Sequence, residues 1–216
     1  MPDKKIPLSR ERIVSAAIAV ADTDGLGALS MGRLAERLGC GTMSLYRHVA
    51  NKDELIVFML SSASGPPPVA GENPDWRAAL TDWAYGLWDV YHRHRWILAA
   101  SAAGLPADPG QLAWLDAGLS ALGGTRMGER DKLAAVLAVL HFTRGAAALA
   151  IEAPTHATDT DPADYPGLLR AVIDPQRLPA LASALDAGAF DDGDESHAGE
   201  FRAGLDQLLD GISLKV

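Results

Sequence analysis

Cysteine is nearly absent from this chain of 216 residues: Cys40 stands alone. That excludes an internal disulfide framework and fits a reducing cytosol. Alternating β-branched runs are also nearly missing, while Ala, Leu and Gly are abundant, which points to an all-α protein. No run approaches the roughly twenty apolar residues a membrane helix requires. The amino end, MPDKKIPLSRERI, lacks an apolar core of signal-peptide length. The expectation is a cytoplasmic protein with no membrane partner. No Gly-rich phosphate loop stands between a strand and a helix, and the spacing supports no Ser-His-Asp arrangement. An enzyme is therefore not expected, nor a cofactor.

Positive charge is scarce, and the net charge of −9 argues at first against a nucleic-acid partner. The charge is unevenly spread. Residues 1–52 hold eight Lys/Arg and five Asp/Glu, a net of +3, and the remainder holds 11 Lys/Arg and 23 Asp/Glu, a net of −12. A basic head on an acidic body suits a DNA binder with a separate regulatory part, because only the head need face phosphates. An acidic body is also simply soluble.

Within the head, LSMGRLAERLGCGTMSLYRHVANK (29–52) reads as helix, turn and helix. Ser30 can cap the first helix through its hydroxyl. Met31, Leu34, Ala35 and Leu38 form one stripe at helical period, and Gly39 stands where a left-handed residue would stop the helix. The spacing predicts a second helix from Thr42 to His48 that buries Leu45 and Val49. Its polar, aromatic and cationic outer face, Thr42, Ser44, Tyr46, Arg47 and His48, suits the DNA major groove. A preceding helix runs from about Ser9 to Asp24, burying Ile13, Ala16, Ala17, Val20 and Ala21, with Leu26 and Leu29 beneath the motif. Asn51 then has the signature of a cap, with Glu54 three residues on. The helix it starts, from Lys52 to about Ser62, carries Leu55, Phe58 and Met59 on one side and joins head to body.

Four prolines and two glycines make 64–74 (SGPPPVAGENP) a surface linker. Beyond it, Trp76, Ala79, Leu80, Trp83, Leu87, Val90 and Tyr91 form a long amphipathic stripe behind Asp75, and Trp96-Ile97-Leu98 continues as a short helix. Asp108-Pro109 looks like cap plus first helical residue, with Leu112, Leu115, Leu119 and Leu122 as the next stripe. The longest helix, about Gly128 to Ala153, places Leu133, Val136, Leu137, Leu140, Ala147 and Ile151 near one face. A polar segment (155–166), two short helices (168–173 and 178–185) and an acidic loop (191–195) follow. The closing helix, about 196–211, aligns Phe201, Leu205, Leu208, Leu209 and Ile212, which either seal their own body or meet a second chain. His141, Phe142 and Arg144 lie beside the apolar stripe of the longest helix. They are either satisfied by neighbours or face a ligand together with Trp83, Leu87, Trp88 and Trp114, since bundle pockets are apolar with few placed polar groups. His92 and His94 point apart on a helix, so no metal site is read there, and Cys40 reads as a small turn hydrophobe.

The runs ERIVSAAIAVADTDGLGALSM, LAERLG and SLYRHVANKDELI resemble the DNA-binding head of the tetracycline-repressor (TetR) family, with Gly41-Thr42-Met43 as a departure. More loosely, Asp75-Trp76-Arg77, HRHRWIL and FRAGLDQLLDGI resemble the family's carboxy-terminal domain. The resemblance implies a head (1–52) and a ligand-binding, dimerising body (53–216). It implies that Tyr46 and His48 approach phosphates while Thr42, Met43, Ser44 and Arg47 sit nearer base edges, and Lys52 can hold a phosphate with the free N–H groups of its helix. It places a homodimer face on Ala147, Ile151, Phe201, Leu205, Leu208, Leu209 and Ile212. The expected partners are double-stranded DNA, a second copy and a small-molecule effector, and the expected role is a repressor released by that effector. A helical interaction module without DNA binding is the alternative, with an enzyme behind it.

Overall fold

A computed structural model of the chain describes residues 7–69, 75–101, 108–152, 165–190 and 197–216. The described residues form eleven α-helices, with no strand among them. They divide into two compact units, Met1–Ile151 with Leu205–Val216, and Glu152–Gly204.

In the first unit, α1 (Arg10–Asp24) starts at Ser9, whose hydroxyl accepts from the Arg12 backbone N–H, and buries Ile13, Val14, Ala17, Val20 and Ala21. Val14 takes the inward place expected of Ala16, which is half-buried. After a 3-10 turn at Leu26–Ala28, α2 (Met31–Leu38) is capped by Ser30 and ends at Gly39, whose φ of 65° is the left-handed conformation glycine adopts without steric cost. The next helix, α3, is shorter than its sequence suggests. It spans Thr42–Leu45, and Tyr46–His48 form a turn. The Val49 N–H still bonds to the Leu45 carbonyl at 3.1 Å, so the chain follows a helical course without a full helical ladder. Then comes α4 (Lys52–Ser64), capped by Asn51 and longer by two residues than expected. The Glu54 carboxylate reaches the N–H of Ala50, one residue before the cap, so the expected reciprocal box is displaced by one position.

The body of this unit holds α5 (Trp76–Arg93), α6 (Trp96–Ala100), α7 (Pro109–Ala121), α8 (Glu129–Glu152) and the later part of α11 (His197–Ser213). Asp75 and Asp108 cap α5 and α7 as read, and α5 buries Leu80, Trp83, Leu87, Val90 and Tyr91. Two stripes differ from expectation. In α7 the inward face is Trp114, Gly118 and Ala121, and Leu112 is exposed. Trp114 donates its indole N–H to the Gly65 carbonyl at 3.0 Å, and Gly118 lies against the Trp83 ring and Val136. A large ring and a missing side chain thus set the rotation of α7, which counting leucines does not capture. In α8 the buried face is Lys132, Ala135, Val136, Val139, Thr143 and Ala147, with Leu133 turned out. Lys132 is buried along its stem while its ammonium reaches Glu129 at 2.7 Å.

By length and composition α8 is also apolar enough to cross a membrane, which corrects the expectation that no such segment exists. Its charges cluster at its start, Glu129 to Lys132. Of the apolar remainder, Ala135, Val136, Val139 and Ala147 turn into the fold, whereas Leu133 and Leu149 are exposed, and 28% of the apolar stretch is buried.

The closing helix seals its own chain. Leu205, Leu209 and Ile212 are buried, Arg77 pairs with Asp210 at 2.8 Å and with Asp206 at 3.4 Å, and Lys215 reaches Asp131 at 3.3 Å. In the second unit, α9 (Tyr165–Val172) and α10 (Pro179–Asp186) pack together and Leu185 is buried. The polar stretch at 155–164, the acidic loop at 191–195 and part of the linker, 70–74, lie outside the described residues.

One contact joins α4 to the body at a single atom's width. A Cβ on Gly110 would stand 2.7 Å from the Ser61 Cα and 2.9 Å from its carbonyl oxygen. Backbone cannot swing away as a side chain can. The overpacking cost of about 1–3 kcal/mol therefore exceeds the helix propensity of at most about 1 kcal/mol that alanine would add. Gly110→Ala is expected to lower stability by about 1–2 kcal/mol, measured as a shift in the urea midpoint at fixed protein concentration.

Candidate nucleic-acid interface and body cavity

The surface expected to face DNA is built by what lies under it. Leu45 and Val49 are buried, each contributing about 1.5–3 kcal/mol of burial, and they anchor the segment from below. What remains points outward: Thr42, Met43, Tyr46 and Arg47 are exposed, with Met43 at 74 %, while Ser44 and His48 are half-buried. The Arg10 side chain holds the end of the segment, donating from Nε to the His48 carbonyl at 3.3 Å while its guanidinium lies 4.7 Å from the Phe58 ring centroid. Lys52 is exposed at the first position of α4. It belongs to the first turn, whose N–H groups lack intrahelical partners, and Asp53 and Glu54 share that turn. Arg33 is tied to Asp24 at 2.7 Å, so it is less available to phosphate than Arg47. At the start of α1, hydrogen bonds from its own backbone N–H and from Ser9 hold the Glu11 carboxyl below its ordinary range. It stays anionic beside the proposed DNA face.

Behind the head, the body encloses a cavity of about 360 Å³, within the size range of small-molecule sites. Its apolar wall includes Leu87, Val90, Ile97, Leu115, Leu137 and Leu140, and its aromatic wall is Trp83, Tyr91 and Trp114. The two indole rings are 6.4 Å apart and tilted by 54°. Both N–H groups are already used, Trp83 donating to the Trp114 carbonyl at 2.7 Å and Trp114 to that of Gly65. The polar lining is Ser64, Ser101, Gln111, His141 and Arg144. Burial pushes the Tyr91 phenol above its ordinary range, and the nearby Arg144 charge pulls weakly the other way. Tyr91 is therefore a neutral hydroxyl at physiological pH.

Of the seven residues expected to face a ligand, the structure brings Trp83, Leu87, Trp114, His141 and Arg144 to this cavity and leaves Trp88 and Phe142 off its lining. Phe142 lies two residues from Arg144 and one from His141, on a different face of α8. Tyr91 and Gln111 were not singled out. Tyr91 had a signal, as the one phenol on the α5 stripe, and Gln111 had none. The stripe expected to meet a second chain is occupied within one: Ala147, Phe201, Leu205, Leu209 and Ile212 are buried, and Ile151 and Leu208 are half-buried. His92 and His94 go to separate partners, the Trp88 carbonyl and Asp22.

A contact with no sequence signal joins cavity to head. Asp22, near the end of α1, accepts from the Trp96 indole N–H at 2.8 Å on one carboxylate oxygen, and the His94 Nδ1 lies 2.8 Å from the same atom. Ile97 and Ser101, in the same short segment, line the cavity, and Arg144 donates to the Leu98 carbonyl at 2.8 Å and that of Ser101 at 3.3 Å. Residues 94–101 thus form both the head's anchor and part of the cavity wall.

Comparison with known proteins decides the family. Residues 13–57 match the family of bacterial regulatory proteins, tetR family, and residues 68–216, more than half the chain, match the tetracyclin repressor-like C-terminal domain. The chain belongs to the TetR family. It is 32% identical over 225 residues to the HTH-type transcriptional repressor DrrR1 of Streptomyces coeruleorubidus, covering 98% of this chain and 80% of that one. It is 29% identical over 214 residues to tetracycline repressor protein class D of Escherichia coli, covering 97% and 91%. The fold matches that of ActR from Streptomyces coelicolor, solved in complex with actinorhodin, with a TM-score of 0.81 at 24% identity and coverage of 97% and 98%. As a TetR-family member the chain is a DNA-binding transcriptional regulator with an amino-terminal helix-turn-helix and a helical carboxy-terminal domain.

The outward side chains are expected to carry separable roles. Lys52→Ala is expected to weaken binding to all sequences alike and to lower the salt slope by about one. Arg47→Ala is expected to cost about 1–3 kcal/mol on the preferred operator and to relax base preference. Fluorescence anisotropy across a salt titration measures both. Wild-type affinity in both variants throughout would show that this surface does not read DNA.

Proposed function

We propose that the chain is a cytoplasmic repressor that binds a palindromic operator as a homodimer and is released when a small molecule fills the body cavity. The head is residues 1–52 and the body 53–216. Thr42, Met43, Ser44 and Arg47 face base edges, and Tyr46, His48 and Lys52 face phosphates. Two copies supply what one short reading segment lacks, since two-fold symmetry doubles the contacts when the segments sit about 34–36 Å apart, one turn of DNA. The dimer face is the outer side of α8 and α11, where Leu149 is well exposed and Leu208 half-exposed, with the buried stripe supporting it from within. DrrR1 is named a repressor, and ActR has been solved with a small molecule bound. Both likenesses support a ligand-answering repressor.

The observation that carries this reading is the double use of residues 94–101. A ligand that moves Ile97 or Ser101 also moves the Trp96 and His94 side chains that hold Asp22. Helix α4 gives a parallel route through the Gly110 contact. The ligand need only prefer one of two arrangements, and a preference of about 1–3 kcal/mol changes DNA affinity about 5–150-fold.

The test is a gel-shift with DNA flanking the chain's own gene, followed by release with compounds found by thermal shift. A complete lack of shift at low salt would favour an interaction module that does not bind DNA. Asp22→Ala is expected to keep both DNA and compound binding, yet to cut compound-induced release at least fivefold. Undiminished release in that variant would remove Asp22 from the route.

A further inference from the structure

The cavity's chemistry narrows what fills it, given the ligand-released reading above. Charge is the first discriminator. Among the described residues no Asp or Glu lines the cavity, whereas Arg144 does. Among the described residues the Arg144 guanidinium has no carboxylate partner; its hydrogen bonds go to the Leu98 and Ser101 carbonyl oxygens. Guanidinium has five N–H donors, so those two bonds leave donors for a guest, and no described acid in the lining offsets its charge. A cation entering this space would meet that like charge.

Shape is the second discriminator. Because the Trp83 and Trp114 N–H groups are spent on backbone carbonyls, the two indoles offer a guest ring surface alone. Aromatic partners suit such walls, through offset or edge-to-face contact with large apolar area. Among the polar lining, the Ser64 and Ser101 hydroxyls donate to the Leu60 and Ile97 carbonyls, and Gln111, His141, Arg144 and Tyr91 remain to meet a guest. Arg144 contributes charge-assisted donors, and Tyr91, kept protonated by its burial, contributes a hydroxyl that makes no hydrogen bond among the described residues. An acceptor that is also anionic satisfies both, and charge-assisted hydrogen bonds are the stronger kind.

We propose that the effector class is a planar aromatic compound bearing one anionic oxygen group, a carboxylate or phenolate, with the rings against Trp83 and Trp114 and the anion on Arg144.

Three probes on one ring system test it: 2-naphthoate, 2-naphthamide and 2-naphthylmethylammonium, titrated into the full-length protein with quenching of tryptophan fluorescence and calorimetry as readouts. The anion is expected to bind at least tenfold tighter than the amide, and the cation more weakly than either. Arg144→Gln should bring anion and amide within about twofold of each other, chiefly by weakening the anion, while Arg144→Lys, which keeps the charge, should retain part of the preference. The wild-type comparison stands even if Arg144→Gln fails to fold. Equal binding of cation and anion, an anion preference that survives Arg144→Gln, or no anion binding at millimolar concentration overturns the proposal. Its failure is distinguishable from failure of the ligand-released reading. Anion binding through Arg144 by compounds that never release DNA contradicts the release mechanism alone, and release by neutral or cationic compounds without any anion preference contradicts the ligand class alone.

Discussion

A helix of four residues makes too few internal hydrogen bonds to stay folded alone, because fixing the first turn costs more backbone freedom than one bond returns. The segment proposed to read DNA is such a helix, Thr42–Leu45, followed by a turn. Its geometry therefore comes from its base. Leu45 and Val49 press into the head's core, Gly39 turns the chain in, Arg10 clasps the His48 carbonyl, and Asn51 starts the next helix immediately after. A reader held this way is positioned by α1 and α4. Each of those helices has its own tie to the body, α1 through Asp22 and α4 through the close approach of Gly110 to Ser61.

The two ties bracket the cavity. The anchor of α1 shares residues 94–101 with its wall, and Ser64 at the end of α4 lines it directly. Distance between head and cavity is thus bridged by few contacts. A net hydrogen bond contributes about 0.5–1.5 kcal/mol, and more where a charge takes part. The Asp22 pair alone approaches the coupling that regulation commonly requires, about 1–3 kcal/mol. No extended pathway through the core has to be invoked, since one short corner has two neighbours to satisfy.

Much of this was legible in the sequence, for reasons that are local. Caps are chemical signatures within three residues of a helix start, and Ser30, Asn51, Asp75 and Asp108 all cap where the spacing placed them. Trp83, Leu87 and Trp114 reach the cavity because large groups on core-facing positions have few other uses, and His141 reaches it from an exposed position on α8. What was not legible depends on partners distant in sequence. The face of α7 is set by the Trp83 ring against Gly118, and that of α8 by small residues, Ala135, Thr143 and Ala147, that carry little weight in a hydrophobic stripe. The Asp22 contact spans 72 and 74 residues between side chains that each look like ordinary surface groups. Burial of the closing stripe within one chain was one of two open alternatives, because an apolar stripe states that it is covered without stating by what.

The central claim is that filling the cavity moves the heads. Cys40 is the chain's one cysteine and lies, partly exposed, in the turn of the helix-turn-helix, so a spin label there reports one head-to-head distance per dimer. Pulsed dipolar spectroscopy on the labelled protein, with operator DNA and then with a compound that releases it, measures that distance directly. The account predicts a narrow distribution on DNA and a displaced one with compound, the displacement shrinking in Asp22→Ala. An identical distribution in both states, with release still complete, would contradict it.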